Sequence, residues 1–122
     1  MPLRHEIRGS ILWLVVEGEY DDAALRKAWE SASADPAFRD SMSVLIDSRK
    51  TAASPSRERV MERAEFLVSL RGRIGPRCAF VVGDALHYGL ARMLGAFTEP
   101  GGVEIQVFED VARAEAWLSS SR

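Results

Sequence analysis

The stretch that decides the fold is Cys78-Ala79-Phe80-Val81-Val82, followed by Gly83-Asp84 and then Tyr88-Gly-Leu-Ala-Arg-Met-Leu94. Five apolar residues in a row, rich in valine and free of polar alternation, describe a strand buried on both faces. Asp84 is a helix N-cap by type, and Leu86, Leu90, Met93, Leu94 and Phe97 then recur at helical spacing on a broad apolar side. Val103 to Phe108 follows as a second strand. It alternates Val103, Ile105 and Val107 with Glu104 and Gln106, as a strand near a sheet edge does. Asp110 caps a last helix with Val111, Ala114 and Leu118 inward. Strand, helix, strand, helix is the rhythm of an α/β fold.

The first half reads the same way. Leu3 to Arg8 and Ile11 to Val16, separated by Gly9-Ser10, form an opening antiparallel hairpin that ends at Gly18. Asp21 and Asp22 offer caps for a helix with Leu25, Ala28, Trp29 and Ala32 on one face. Asp35-Pro36 closes that helix, and Phe38 plugs the loop behind it. Met42 to Ile46 is the third strand and ends at Asp47. A loop through Ser54 then leads to Pro55 at the first position of a helix over residues 55–71, with Ser54 as its cap. That helix carries Val60, Ala64, Leu67 and Val68 inward. Phe66 and Leu70 widen its apolar stripe beyond what one sheet contact requires. Gly72 and Gly75-Pro76 end it before strand four begins at Cys78. The expected architecture is ββαβαβαβα: a five-stranded mixed, mostly parallel sheet with an N-terminal hairpin, four helices and right-handed crossovers.

Composition sets outer bounds. At 122 residues, with 47% apolar and 28% charged residues, the chain reads as one globular domain over 1–122. A net charge of −2 gives no global attraction to nucleic acid. One cysteine excludes an intrachain disulfide, and Cys78, at the start of a buried strand, reads as an inert thiol. No metal or cofactor is expected. The two histidines and one cysteine have no ligand spacing, and no glycine-rich phosphate loop occurs. The longest early apolar run is too short for a membrane span or signal core, so a cytoplasmic location is expected. Fourteen arginines against two lysines, with no asparagine, suggest a GC-rich bacterial origin.

Several short signatures, taken in order, carry a family resemblance. They are Ile11-Leu-Trp13, Val44-Leu-Ile-Asp47, Tyr88-Gly-Leu-Ala-Arg-Met93, and Val107-Phe108 followed by Ala114-Glu-Ala-Trp-Leu118. Over nearly its whole length the chain resembles the bacterial SpoIIAA-like proteins of the STAS superfamily, a group related to the CRAL-TRIO lipid-binding domains. The resemblance implies a non-enzymatic module, used for protein–protein regulation in the anti-sigma-factor antagonists and for ligand sensing elsewhere. In those antagonists strand three ends in Asp-Ser-Ser-Gly, whose serine is phosphorylated. Here the stretch is Asp47-Ser48-Arg49-Lys50, without the Ser-Gly pair.

Candidate chemistry belongs at the carboxyl ends of the middle strands, where open α/β sheets gather ligands near helix N-termini. Asp47, Ser48, Arg49, Ser54 and Ser56 lie there by position, with Asp84, His87 and Tyr88 arriving from the next loop. The plainer role for Asp47, Asp84 and the serines is to cap helices and orient backbone. If a ligand binds, Arg49 meets an anionic group, His87 and Tyr88 give polar contacts, and Leu90, Met93 and Phe97 form an apolar wall. A carrier predicts a cavity of order 300–1,000 Å³ beside Leu90, Met93, Leu94 and Phe97. A hydrolase would need His87, Asp84 and a serine in mutual reach, and no G-x-S-x-G elbow is present. His5 reads as an ordinary surface imidazole.

Charge is uneven along the chain. Residues 49–77 hold eight cations against three anions, a surplus of five in a chain that is negative overall. Arg57, Arg59, Arg63 and Arg71 on helix 55–71, with Arg73 just beyond it, make a candidate surface for an acidic partner or anionic lipid heads. Its interleaved Glu58, Glu62 and Glu65 also suit a solvated face with local ion pairs. The leading expectation is a non-catalytic regulatory or ligand-binding module, binding a protein or a small apolar or anionic ligand. A homodimer formed through the broad apolar faces of helices two and three is a further possibility.

Overall fold

A computed structural model describes residues 3–120. The strands are β1 (Leu3–Arg8), β2 (Ile11–Gly18), β3 (Met42–Thr51), β4 (Ile74–Val82) and β5 (Glu104–Phe108). The helices are α1 (Asp22–Ser33), α2 (Arg57–Ser69), α3 (Ala85–Thr98) and α4 (Val111–Ser119). One sheet holds all five strands in the order β1-β2-β3-β4-β5, with β1 antiparallel to β2 and every later neighbour parallel. The α/β architecture read from the sequence is the one observed.

That strand order dictates the layers. Each parallel step moves across the sheet in the same direction, so crossovers of one hand carry α1, α2 and α3 to the same face. On that face Leu12, Val16, Val44, Ile46 and Cys78 meet Leu25, Ala28, Trp29 and Ala32 of α1 and Leu67 and Val68 of α2. Val60 and Ala64 of α2 pack with Leu94 of α3. The opposite face falls to α4 alone, where Ala114 and Leu118 close on Ile11, Trp13, Leu45, Ala79 and Val81. Leu45, Ala79, Val81 and Ala114 are fully buried. Trp29 and Phe38 meet edge to face at 5.5 Å, so Phe38 does plug the loop behind α1.

Several boundaries differ from the sequence reading. β3 does not stop at Asp47 but runs to Thr51. β2 continues alongside it, pairing Glu17 with Lys50 and Gly18 with Thr51, and the Ala52 N–H donates to the Gly18 carbonyl at 2.8 Å. A polar stretch becomes strand when a neighbour supplies the ladder, which local propensity cannot show. α2 starts at Arg57, capped by Ser56, whose hydroxyl accepts the Arg59 N–H at 3.2 Å. Pro55 and Ser54 therefore precede the helix. β4 begins at Ile74, so Gly75-Pro76 lies inside the strand and not between elements. The ladder is irregular there, passing from Met42↔Ile74 to Val44↔Cys78, and such an irregularity tolerates proline. A Cβ at Gly75 would stand 3.0 Å from the Ser41 carbonyl oxygen, so glycine permits that approach. His5 is not a free surface imidazole: its Nε2 lies 3.0 Å from Asp35 and its side chain is mostly covered.

Candidate functional site

The β4–α3 turn is fixed by its cap. The Asp84 carboxylate accepts the backbone N–H of His87 at 2.8 Å and also the ring Nδ1 at 2.8 Å. These bonds, the backbone one first, hold the Asp84 carboxyl below its ordinary range. The other ring nitrogen, Nε2, lies 2.8 Å from the carbonyl oxygen of Ala53 in the β3–α2 loop. His87 thereby ties the start of α3 to that loop. Both ring nitrogens therefore face oxygen atoms of neighbouring groups. Gly83 lets the end of β4 pass close to β3, since a Cβ there would lie 2.8 Å from the Arg49 carbonyl oxygen. A backbone carbonyl stands where a catalytic dyad would place a hydroxyl.

Strand alternation divides the expected rim in two. Val44, Ile46 and Ser48 face the three-helix side, while Leu45, Asp47 and Arg49 face the α4 side. Asp47 and Arg49 form a two-pronged pair, Nε to Oδ1 at 2.9 Å and Nη2 to Oδ2 at 2.8 Å. The Arg49 side chain, followed by burial acting in the opposite sense, sets Asp47 below its usual value. With Arg4, Glu17 and Lys50 these two line a shallow polar cleft. They do not join Ser48 and His87. Ser54 is exposed in the β3–α2 loop, and Tyr88 is half-buried on α3.

Two cavities reach the sheet on the three-helix side, beneath two more open grooves, one of about 410 Å³ between α1 and α2 and one of about 520 Å³ between α2 and α3 beside Phe97. The larger cavity, about 120 Å³, lies between α1, α2 and the sheet. Its wall includes Leu14, Leu25, Trp29, Phe66, Leu70 and Ile74, and among the described residues Tyr20 and Arg63 are its polar members. The smaller, about 60 Å³, is bounded by Ser48, Thr51, Ala53, Pro55, His87 and Leu90. Tyr20, Arg63, Phe80 and Leu94 belong to both walls. Neither of these two matches the expected carrier cavity in size or place, and the groove of about 520 Å³, which has the expected size, meets only Phe97 of the expected wall. Leu94 lines the larger cavity and Leu90 the smaller, whereas Met93 and Phe97 pack into the α2–α3 seam against Val60 and Ala64. The gap lies where α1 packs over β1 while α2 packs against α3. The α1–α2 seam is spanned by polar and stacked contacts: Asp22 with Arg59 and Arg63, and Arg26 over the Phe66 ring at 4.9 Å.

The five candidate surface arginines are spread over several neighbours. Arg59 reaches Asp22 at 3.1 Å and Arg63 reaches Asp22 and Tyr20. Arg57 lies over Phe97. Arg71 donates to the Gly101 carbonyl at 2.9 Å, and Arg73 pairs with Asp40 at 2.7 Å while covering Trp29 and Phe38. Sequence reasoning did not place Tyr20 or Arg63 at a cavity. The excess width of the α2 stripe at Phe66 and Leu70 was the signal, since both residues line it. Cys78 is fully buried, and burial pushes its thiol up to about 12. Among the described residues no group of three or more His, Cys, Asp or Glu side chains could hold a metal ion. Nor is any described helix long and apolar enough to cross a membrane.

A solved structure shares this architecture. It is an uncharacterized protein of the DUF3478 family, with a SpoIIAA-like fold, from Shewanella loihica PV-4. The two superpose with a TM-score of 0.64 at 21% identity, over 95% of this chain and 91% of that one. The fold is SpoIIAA-like, as the sequence resemblance implied. No family model matches the chain, and no curated protein matches it.

Proposed function

We propose that the protein is a non-catalytic ligand-binding module that takes a small apolar or amphipathic molecule between α1, α2 and the sheet. One observation carries this reading: an apolar cavity of about 120 Å³ remains between α1, α2 and the sheet, under a seam held by side-chain contacts. Interiors normally close such space, and an apolar void near 150 Å³ is enough to bind a benzene-sized molecule. Binding at a regulatory module would act by changing how α1 and α2 are held together, so a signal would reach partners through that seam.

Anionic lipid heads on residues 55–71 have less support. Arg59, Arg63, Arg71 and Arg73 already bond to neighbours within the chain. Catalysis at His87 also has less support, because both ring nitrogens are engaged by Asp84 and Ala53.

The test is to fill the space. Ala28→Leu places three more carbons in the cavity wall from α1. Binding of 1-heptanol, followed by Trp fluorescence and by melting temperature, is expected in the parent chain and lost in Ala28→Leu with the fold intact. Equal binding by both proteins would place the ligand elsewhere.

A further inference from the structure

Arg63 stands where the two cavities meet. Its side chain is only 17% exposed. Its contacts are nonetheless long: Nε to Asp22 at 3.4 Å and Nη1 to the Tyr20 hydroxyl at 3.4 Å. Both are at the outer edge of hydrogen-bonding distance. Asp22 makes the shorter bond, 3.1 Å, with Arg59. A guanidinium carries five N–H donors in a planar fork, so this largely covered cation is under-used.

Outward, Arg63 shares an open groove with Asp22, Arg26, Glu62 and Glu65; toward the sheet its surroundings are one-sided. Arg63 is the single charged side chain among the described residues lining the larger cavity, and the smaller adds only His87, whose ring already has partners. The smaller cavity also gathers the hydroxyls of Tyr20, Ser48 and Thr51. Ser48 is 8% exposed. A cation and hydroxyls at one end, and leucine, phenylalanine and tryptophan at the other, match a molecule with one anionic head and a short apolar tail.

We propose that the ligand is a short-chain carboxylic acid whose carboxylate takes the Arg63 fork while its tail fills the space between α1 and α2. The inference rests on the cavity being a ligand site. A planar carboxylate suits both the fork and a head chamber of about 60 Å³. By comparison with the void that accepts benzene, the tail is roughly six carbons. On binding, the ligand displaces Asp22 from Arg63, and Asp22 keeps Arg59.

The experiment is calorimetric and NMR titration of the full chain at neutral pH with heptanoate and, separately, 1-heptanol. Heptanoate should bind about tenfold tighter than the alcohol, the difference expected of a charge-assisted pair. Arg63→Met should close the tenfold gap, so that heptanoate and 1-heptanol bind the variant equally. Asp22→Asn removes the competing carboxylate and should tighten heptanoate about threefold, without touching the alcohol. Asp22→Asn decides the matter even if Arg63→Met does not fold. Equal affinity for acid and alcohol would overturn the head-group assignment and leave the cavity reading standing. Preference for the acid that survives both substitutions would overturn the role of Arg63. Failure of both molecules to bind would overturn the cavity reading along with it.

Discussion

The two faces of the sheet are covered differently. One helix, α4, closes one face through Ala114 and Leu118, with Leu45, Ala79 and Val81 fully buried beneath it. Three helices cover the other face, yet that face keeps a void. Numbers of helices do not decide packing; their spacing over the strands does. α2 and α3 interlock through Val60, Ala64 and Leu94, while α1 stands apart over the hairpin and reaches α2 through arginines, Asp22 and Phe66. The tight face supports the fold, and the loose seam is where a ligand meets the least resistance.

Substitutions on the two faces should separate in size. Leu45→Ala removes a fully buried side chain from the α4 face and should cost about 3 kcal/mol in urea unfolding. Leu25→Ala, half-buried beside existing space, should cost about 1 kcal/mol, because little new cavity forms. Equal losses would mean that the two faces pack alike. His87→Ala frees both Asp84 and the Ala53 carbonyl and should cost about 1.5 kcal/mol. Amide exchange should quicken in the β3–α2 loop and at the start of α3, and stay unchanged at Leu45 and Val81. Ala28→Leu should add about 1 kcal/mol of stability by filling the void, readable as a raised melting temperature. A loss would show that the seam has no room.

The smallest expected effect is on acid stability. Asp47, on the α4 face, is held below its ordinary carboxyl value of 3.8 chiefly by Arg49. A depressed carboxyl adds stability that is complete above the unfolded value and disappears as pH falls through the folded one. Between about pH 5 and pH 2, Asp47→Asn should therefore lose less stability than the parent chain. An unchanged acid limb would show that the pair adds nothing beyond its partly exposed setting.

The elements were legible because each carries its own local signal. The Cys78 to Val82 run, the caps Asp21, Asp84 and Asp110, and the i, i+3, i+4 stripes of α1 and α3 all resolve within a few residues of chain. What failed were features written by distant partners. Ser48 to Thr51 became strand only because β2 runs on to Gly18, and Gly75-Pro76 fitted into β4 through a ladder irregularity. The site suffered from the same blindness in another form. The rim by position included Asp47, Ser48 and Arg49 together, but the period of two sends Ser48 to one face and its neighbours to the other. Asp84 and His87 were close as their spacing allowed, and the Ala53 carbonyl, thirty-four residues from His87, could not be read from sequence. Phe66 and Leu70 came nearest to revealing the cavity, since their surplus of apolar width had no stated target.

The most direct test is a methyl-resolved NMR titration with 1-heptanol on leucine- and valine-labelled protein. The structure predicts saturable shifts at Leu12, Leu25, Leu67 and Leu70, with Leu45 and Val81 unmoved. Saturable shifts that fall equally on both faces, or none at all, would contradict a ligand site between α1 and α2.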